Sequence, residues 1–368
     1  MNLVILTSSR ADYGIYLPLL KKLKADDFFK FKIIAFGTHL SEKYGNTINQ
    51  IYNDGFDVAY KIETLLDTNS PEMISKSMAL TIDKFSEVWV KEMPSLDYII
   101  CLGDRYEMFA AVTASIPFNI PIAHIHGGEN TLGAIDNSFR HSLTAMSKLH
   151  FASNESHAKK VSQIIGTVEG VYNVGALSLD NLKDIDLLSV QDFKYKFNIE
   201  LDKPILVTFH PETIAYEKNE QYVDELIDAL NVFEKQILIT MPNADTMGDI
   251  IRTKLLSFAK HKSNVVTVES LGTVGYFSCL YHCDFVLGNS SSGIIEAASF
   301  GKYVINIGQR QLGRDTGANV IHCEIEKDRI VEAVQYINEL PNLIKSNIYG
   351  DGHTADKILS VLKSQNSN

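Results

Sequence analysis

Short apolar runs separated by longer amphipathic stretches recur along the whole chain. Residues 3–6 read as a buried strand, and 16–24 follow with apolar positions at helical spacing. Residues 31–36 and 98–102 are further strands, and 105–115 predict a helix after the second of them. Residues 121–125 are again strand-like, and 137–147 predict another helix. A second series begins after about residue 175, with strands over 205–209, 236–240, 265–268, 285–287 and 303–307 and helical patterns between them. Strands alternating with helices imply βαβ units and parallel sheets.

Periodicity weakens over 170–203, which places a junction near 174–179. The expected fold class is therefore α/β, with two doubly wound, Rossmann-like domains over 1–174 and 175–352. A last helical pattern, after Gly350-Asp351-Gly352, makes 353–368 a C-terminal helix and a candidate to pack back on the first domain. Doubly wound domains hold ligands outside the carboxyl ends of their strands.

Composition narrows the function. The 368 residues suit two or three domains, and 45% apolar with 21% charged residues is a soluble, globular balance. Acidic residues outnumber basic ones by 45 to 34, for a net charge of −11, which disfavours nucleic acid and anionic membranes as partners. No secretory pattern or membrane-length apolar stretch is read in the sequence. Four sparse cysteines, Cys101, Cys279, Cys283 and Cys323, suggest reduced thiols and a cytoplasmic protein. Cys279, His282 and Cys283 have helical spacing that could suit a metal, but packed thiols are the preferred reading.

The unusual polar residues follow predicted strands. Thr7-Ser8-Ser9-Arg10-Ala11-Asp12 replaces any G-x-G-x-x-G fingerprint after the first strand, so dinucleotide binding is not expected. Arg10 can grip a phosphate, while Ser9 or Asp12 can cap a helix. Gly103-Asp104-Arg105 offers a catalytic carboxylate or an N-cap. His124-Ile125-His126-Gly127-Gly128-Glu129, followed by Asp136, Arg140 and His141, concentrates acids, bases and glycines. Asp136 and Arg140 would share a helix face, as a surface ion pair or as part of a site.

In the second half, His210-Pro211-Glu212 and then Asn243 follow strands. Gly288-Asn289-Ser290-Ser291-Ser292-Gly293 leads into a helix whose opening N–H groups suit a phosphate. Glu296 can accept ribose hydroxyls or serve the helix end. No Walker lysine is present, which argues against ATP hydrolysis. Arg310 and Arg314 add cations beside the same sheet edge.

Together these motifs resemble the hydrolysing UDP-N-acetylglucosamine 2-epimerases of bacterial sialic-acid and legionaminic-acid synthesis. The resemblance rests on residues 9–13, 103–105, 124–129 with 135–141, 288–296 and 310–314, in that order. It implies a glycosyltransferase-B architecture with a UDP-sugar in the cleft, no cofactor or metal, and a homodimer. By resemblance, Arg10, His210, Ser291 and Ser292 hold the diphosphate. Asn243 and Arg314 position the nucleotide and Glu296 grips the ribose. Asp104, Glu129, Asp136, Arg140 and His210 surround the sugar. His126 stands where some relatives carry a carboxylate, which leaves that role to Glu129 or His126.

The implied reaction removes the C2 proton, expels UDP from C1 to give a glycal, and adds water to release the free 2-epimer. A non-hydrolysing epimerase, a glycosyltransferase and a non-catalytic nucleotide-sugar sensor compete with this reading. Two sugars fit: UDP-N-acetylglucosamine, preferred as the commoner metabolite, and its 2,4-diacetamido-2,4,6-trideoxy analogue. Segments 39–44 and 128–136, with His39, Asn130, Thr131, Leu132 and Ile135, are candidates to face C4 and C6.

Overall fold

The computed structural model of the protein describes residues 1–66, 70–242, 248–345 and 348–365. The chain divides into two compact units. The first comprises Met1–Glu129, Asp136–Asp184 and Tyr349–Asn368; the second comprises Asn130–Ile135 and Ile185–Ile348.

The first unit is built on seven strands: β1 (Asn2–Thr7), β2 (Lys30–Phe36), β3 (Val58–Ile62), β4 (Tyr98–Leu102), β5 (Ile122–Ile125), β6 (Leu149–Ala152) and β7 (Val171–Asn173). They lie in the order β3-β2-β1-β4-β5-β6-β7, every pairing parallel. Ile5 is in register with Ile33 on one side and Ile100 on the other.

Strand side chains alternate between faces, and β1 divides its apolar residues accordingly. Leu3 and Ile5 pack with Tyr13, Tyr16 and Leu20 of the helix Arg10–Lys24, and with Ile358 and Leu362 of the helix Thr354–Ser364. Val4 and Leu6 pack on the opposite face with Phe85 and Trp89 of the helix Pro71–Glu92. Burial on both faces explains why β1 and β4 read as continuous apolar runs.

The helix Arg10–Lys24 starts earlier than its apolar spacing predicts, because Ser9 and Asp12 form a capping box ahead of it. Pro18 lies inside this helix and has no N–H for the carbonyl of Gly14. The Asn181 side chain donates to that carbonyl instead, at 2.9 Å.

The second unit has six strands: β8 (Ile205–Thr208), β9 (Ile237–Thr240), β10 (Val265–Val268), β11 (Val286–Gly288), β12 (Val304–Ile307) and β13 (Val320–Cys323). Their order is β10-β9-β8-β11-β12-β13, again all parallel. Val207, Ile239, Leu287 and Ile305 form the centre of its core.

Each sheet reverses its winding once, between β1 and β4 in the first unit and between β8 and β11 in the second. In open α/β sheets that switch point is where loops diverge and a ligand fits.

The boundaries differ from those expected. The first unit runs on to Asp184 rather than 174, and the returning segment starts at Tyr349 rather than 353. Residues Asn130–Ile135 belong to the second unit, although they interrupt the first in sequence. The Leu132 N–H donates to the Leu312 carbonyl at 2.8 Å, and the Ile135 N–H to Thr213 Oγ1 at 2.9 Å. At Gly133 a Cβ would lie 1.9 Å from the Gln309 carbonyl oxygen, so only glycine allows this approach.

Candidate active site

In the first unit the turns after β1 and β4 flank the switch point. After β1, Ser9 is the N-cap of the helix Arg10–Lys24. The buried Asp12 carboxylate gathers Thr7 Oγ1 at 2.5 Å, the Ser8 N–H at 2.9 Å and Ser8 Oγ at 2.8 Å. Burial alone would raise the Asp12 carboxyl, but hydrogen bonds from His39, Thr7 and Ser8 and the nearby His39 charge hold it below its ordinary value. The capping reading of Ser9 and Asp12 is correct, and the turn they build carries the half-buried Arg10.

His39 is fully buried, with Nε2 at 2.9 Å from Thr7 Oγ1 and Nδ1 at 2.9 Å from Thr47 Oγ1. Both ring nitrogens are engaged within the protein. His39 therefore supports the β1 turn from within the core.

After β4, Gly103 adopts φ +79° and directs the chain into Asp104. The N-cap of the helix Tyr106–Thr113 is Arg105, so Asp104 is not that cap. The Asp104 carboxylate receives a charge-assisted bond from Arg140 Nη2. Arg140 is buried on the helix Asp136–Met146, and its Nη1 donates to the His126 carbonyl at 2.7 Å and lies 3.7 Å from Glu129 Oε2. Arg140 thus turns to Asp104, His126 and Glu129 rather than to a surface pairing with Asp136. Asp136 opens the same helix, half-buried.

Glu129 and His126 sit on a turn after β5 that few residues could form. His126 has φ +64° and Gly128 φ +79°, and a Cβ on Gly128 would lie 2.2 Å from the His157 carbonyl. Glu129 Oε1 accepts from His126 Nδ1 at 2.6 Å and from Ser153 Oγ at 2.8 Å. Glu129 is 1% exposed and His126 4%, whereas the Asp104 side chain keeps 21% exposure. Of the linked group Asp104, Arg140, Glu129 and His126, Asp104 is the member open to a ligand.

His124 supports the same turns from beneath. Its Nε2 meets the Gly103 carbonyl at 2.8 Å, so that nitrogen carries the proton and Nδ1 accepts from Thr144 Oγ1 at 3.2 Å. Burial pushes its pKa down to about 3, and the ring stays neutral.

In the second unit the turns after β8 and β11 flank the corresponding switch point. Asn289 is fully buried and joins them. Its Oδ1 accepts the His210 N–H at 2.7 Å, and its Nδ2 donates to the His210 carbonyl at 2.8 Å. The Asn289 carbonyl receives Arg310 Nη1 at 3.2 Å and Gln311 Nε2 at 2.9 Å. Gly288, at φ +143°, brings the chain so close to β8 that a Cβ would sit 2.0 Å from the Thr208 oxygen.

Glu212 ties the third turn in. Its buried Oε1 accepts the N–H groups of Gln309 at 2.6 Å and Arg310 at 3.2 Å. Burial raises its carboxyl pKa, and those two N–H groups offset part of the rise.

Ser290 caps the five-residue helix Ser291–Ile295, with the half-buried Ser291 and Ser292 at its start. Burial raises the phenol of Tyr276, which faces Ser292, Thr208 and Glu296. Glu296 ends the helix at 5% exposure, and Arg314 is 8% exposed after β12. Asn243 lies outside the described residues. Cys279 and Cys283 are packed thiols, with burial pushing Cys283 up to about 12, and His282 meets the Leu188 carbonyl at 2.9 Å.

Sequence reasoning did not single out Asn289, Gln311, Thr213 or Ser153. Asn289 and Ser153 are the first residues after β11 and β6, so position at a strand's carboxyl end was the available signal.

Comparison with known proteins agrees with this architecture. A family model described as UDP-N-acetylglucosamine 2-epimerase matches residues 21–363. A protein of Legionella pneumophila named UDP-N,N'-diacetylbacillosamine 2-epimerase (hydrolyzing) is 33% identical over 363 residues, covering 98% of this chain and 95% of its own. The polysialic acid biosynthesis protein P7 of Escherichia coli is 35% identical, covering 90% of this chain and 85% of its own. Among solved structures, the UDP-GlcNAc 2-epimerase of Neisseria meningitidis bound to UDP-GlcNAc superposes with a TM-score of 0.81 at 17% identity, over 99% of this chain and 100% of that one, so it shares the fold. The chain belongs to the UDP-N-acetylglucosamine 2-epimerase family.

Proposed function

We propose that the protein is a hydrolysing UDP-N-acetylglucosamine 2-epimerase, releasing UDP and N-acetylmannosamine. The observation that carries this reading is the Asp104–Arg140–Glu129–His126 group at the first sheet's switch point, with Asp104 open to a ligand. In the first half-reaction the C2 proton passes to a base, the C1–O bond breaks and UDP leaves, giving a 2-acetamidoglycal. In the second, a proton returns to C2 from the opposite face and water adds its hydroxyl at C1.

Asp104, Asp136 and His210 are assigned to the sugar, with Glu129 and Arg140 in the group that holds Asp104 for its proton transfers. Asp104 is the group best placed to exchange a proton with a ligand, since Arg140 fixes its carboxylate without covering it. Arg10, Ser291 and Ser292 are assigned to the diphosphate, whose negative charge grows as UDP leaves. Glu296 and Arg314 are assigned to the ribose and nucleotide. The family resemblance also carries a homodimer, and four free thiols suit a reducing compartment such as the cytoplasm.

Incubation with UDP-N-acetylglucosamine tests the reading. Free N-acetylmannosamine with UDP supports it; UDP-N-acetylmannosamine, or binding without turnover, overturns it. The Legionella relative's name favours a second reading, the same reaction on the UDP-linked 2,4-diacetamido-2,4,6-trideoxy sugar. Competing both substrates in one assay separates the two through their specificity constants.

A further inference from the structure

We propose that Ser153 is a positioning residue for the reaction, backed by His157, and that it aims Glu129 at Arg140 and through it at Asp104. This inference rests on the functional reading above.

Ser153 follows β6 directly and is 1% exposed. Its hydroxyl donates to Glu129 Oε1 at 2.8 Å. With its one proton committed there, Ser153 Oγ can meet His157 Nδ1, 2.8 Å away, only as acceptor, so the His157 proton sits on Nδ1. His157 is 2% exposed in the first turn of the helix Glu155–Ile165. That turn is fixed by Asn154, whose Oδ1 accepts the His157 N–H at 2.8 Å, and by the close seat of Gly128 on the His157 carbonyl.

The other side of Glu129 is equally directed. His126 Nε2 accepts the Leu177 N–H at 3.4 Å, which leaves its proton on Nδ1, pointing to the same Oε1. Two donors therefore converge on Oε1, and Oε2 is the oxygen turned to Arg140. Without the Ser153 hydroxyl, one of the donors choosing that orientation disappears. The titratable and charged groups facing Glu129 among the described residues include His126 on its own turn, Arg140 on the helix Asp136–Met146, and His157 behind Ser153. Glu129 then acts as the fixed anion that holds Arg140 in place for Asp104.

The test compares Ser153→Ala and Ser153→Thr with wild-type enzyme on UDP-N-acetylglucosamine. Ser153→Ala should lower kcat about tenfold or more, the effect of one hydrogen bond to a charged group. KM and UDP affinity should stay within about twofold, since Ser153 lies in the unit without the serine loop. The acid limb of the kcat–pH profile should move to higher pH, because a carboxylate that loses a donor holds its proton more tightly. Ser153→Thr, which keeps the hydroxyl, should return both toward wild type. Unchanged kcat and profile in Ser153→Ala would overturn the proposal, as would equal losses of kcat and UDP affinity with a lowered melting temperature. If Ser153→Ala does not fold, Ser153→Cys carries the same comparison. Wild-type enzyme that releases no free sugar would fail the functional reading instead, before any variant is compared.

Discussion

Arg140 donates to Asp104, a residue 36 positions earlier in the chain, and binds the His126 carbonyl with its other terminal nitrogen. Asp104 is thereby held as an oriented anion whose remaining surface faces outward. Asp104→Asn keeps the size and the hydrogen-bonding shape but cannot accept a proton. Turnover should fall by about 100- to 10,000-fold, the usual span for a lost acid–base group. Calorimetric UDP affinity should be close to wild type. Substantial residual turnover would return Asp104 to a structural role.

Ser291 and Ser292 open the short helix in the second unit and are assigned to the diphosphate. Replacing both by alanine removes two hydroxyl donors to a charged ligand. UDP should bind about tenfold more weakly or worse. Calorimetry on the double variant checks this, and unchanged affinity would move the diphosphate elsewhere.

Asn289 pairs with both backbone groups of His210 and gathers Arg310 and Gln311 at its own carbonyl. Asn289→Ala would strand a buried N–H and a buried carbonyl. A cost of about 2–6 kcal/mol follows at about 1–3 kcal/mol per unsatisfied group. Urea unfolding measures it, and a change below 1 kcal/mol would show that water replaces the side chain there.

Acid sensitivity has a specific source. Burial holds His124 at about 3 and His150 at about 4, against an ordinary 6.5, so both are neutral in the fold and protonate in the unfolded chain. Because the folded values are depressed, their contribution is fully present above about pH 6.5 and is lost as pH falls toward 4. Each contributes a limiting slope of about 1.4 kcal/mol per pH unit. His124→Asn should remove one such slope from unfolding free energies measured between pH 4.5 and 6.5. An unaltered slope would mean His124 is protonated in the native state.

The chain showed its strands where burial on both faces removes polar positions. β1, β4, β8 and β9 are continuous apolar runs between helices, and their ends moved by one or two residues at most. β3, β7 and β13 are edge strands, and alternation such as Val58-Ala59-Tyr60-Lys61-Ile62 lacks that signature. In β6 the buried His150 interrupts the run. The site was legible for a related reason: Arg10, Asp104, His126, His210 and Ser291 follow strands closely. What spacing could not show was partnership. Spacing left Arg140 as a surface partner of Asp136 or as part of a site, and the fold brings it to Asp104 and Glu129. Nor could local pattern show that 130–135 leave the first unit, because Gly133 needs the Gln309 carbonyl 176 positions away to explain it.

Proton removal at C2 with loss of UDP leaves a solvent hydrogen on the product sugar. The enzyme is incubated with UDP-N-acetylglucosamine in D2O and the products are followed by NMR and mass spectrometry. UDP and free N-acetylmannosamine carrying one deuterium at C2 are expected. A free sugar with its original C2 hydrogen, or a product still bearing UDP, would contradict this chemistry.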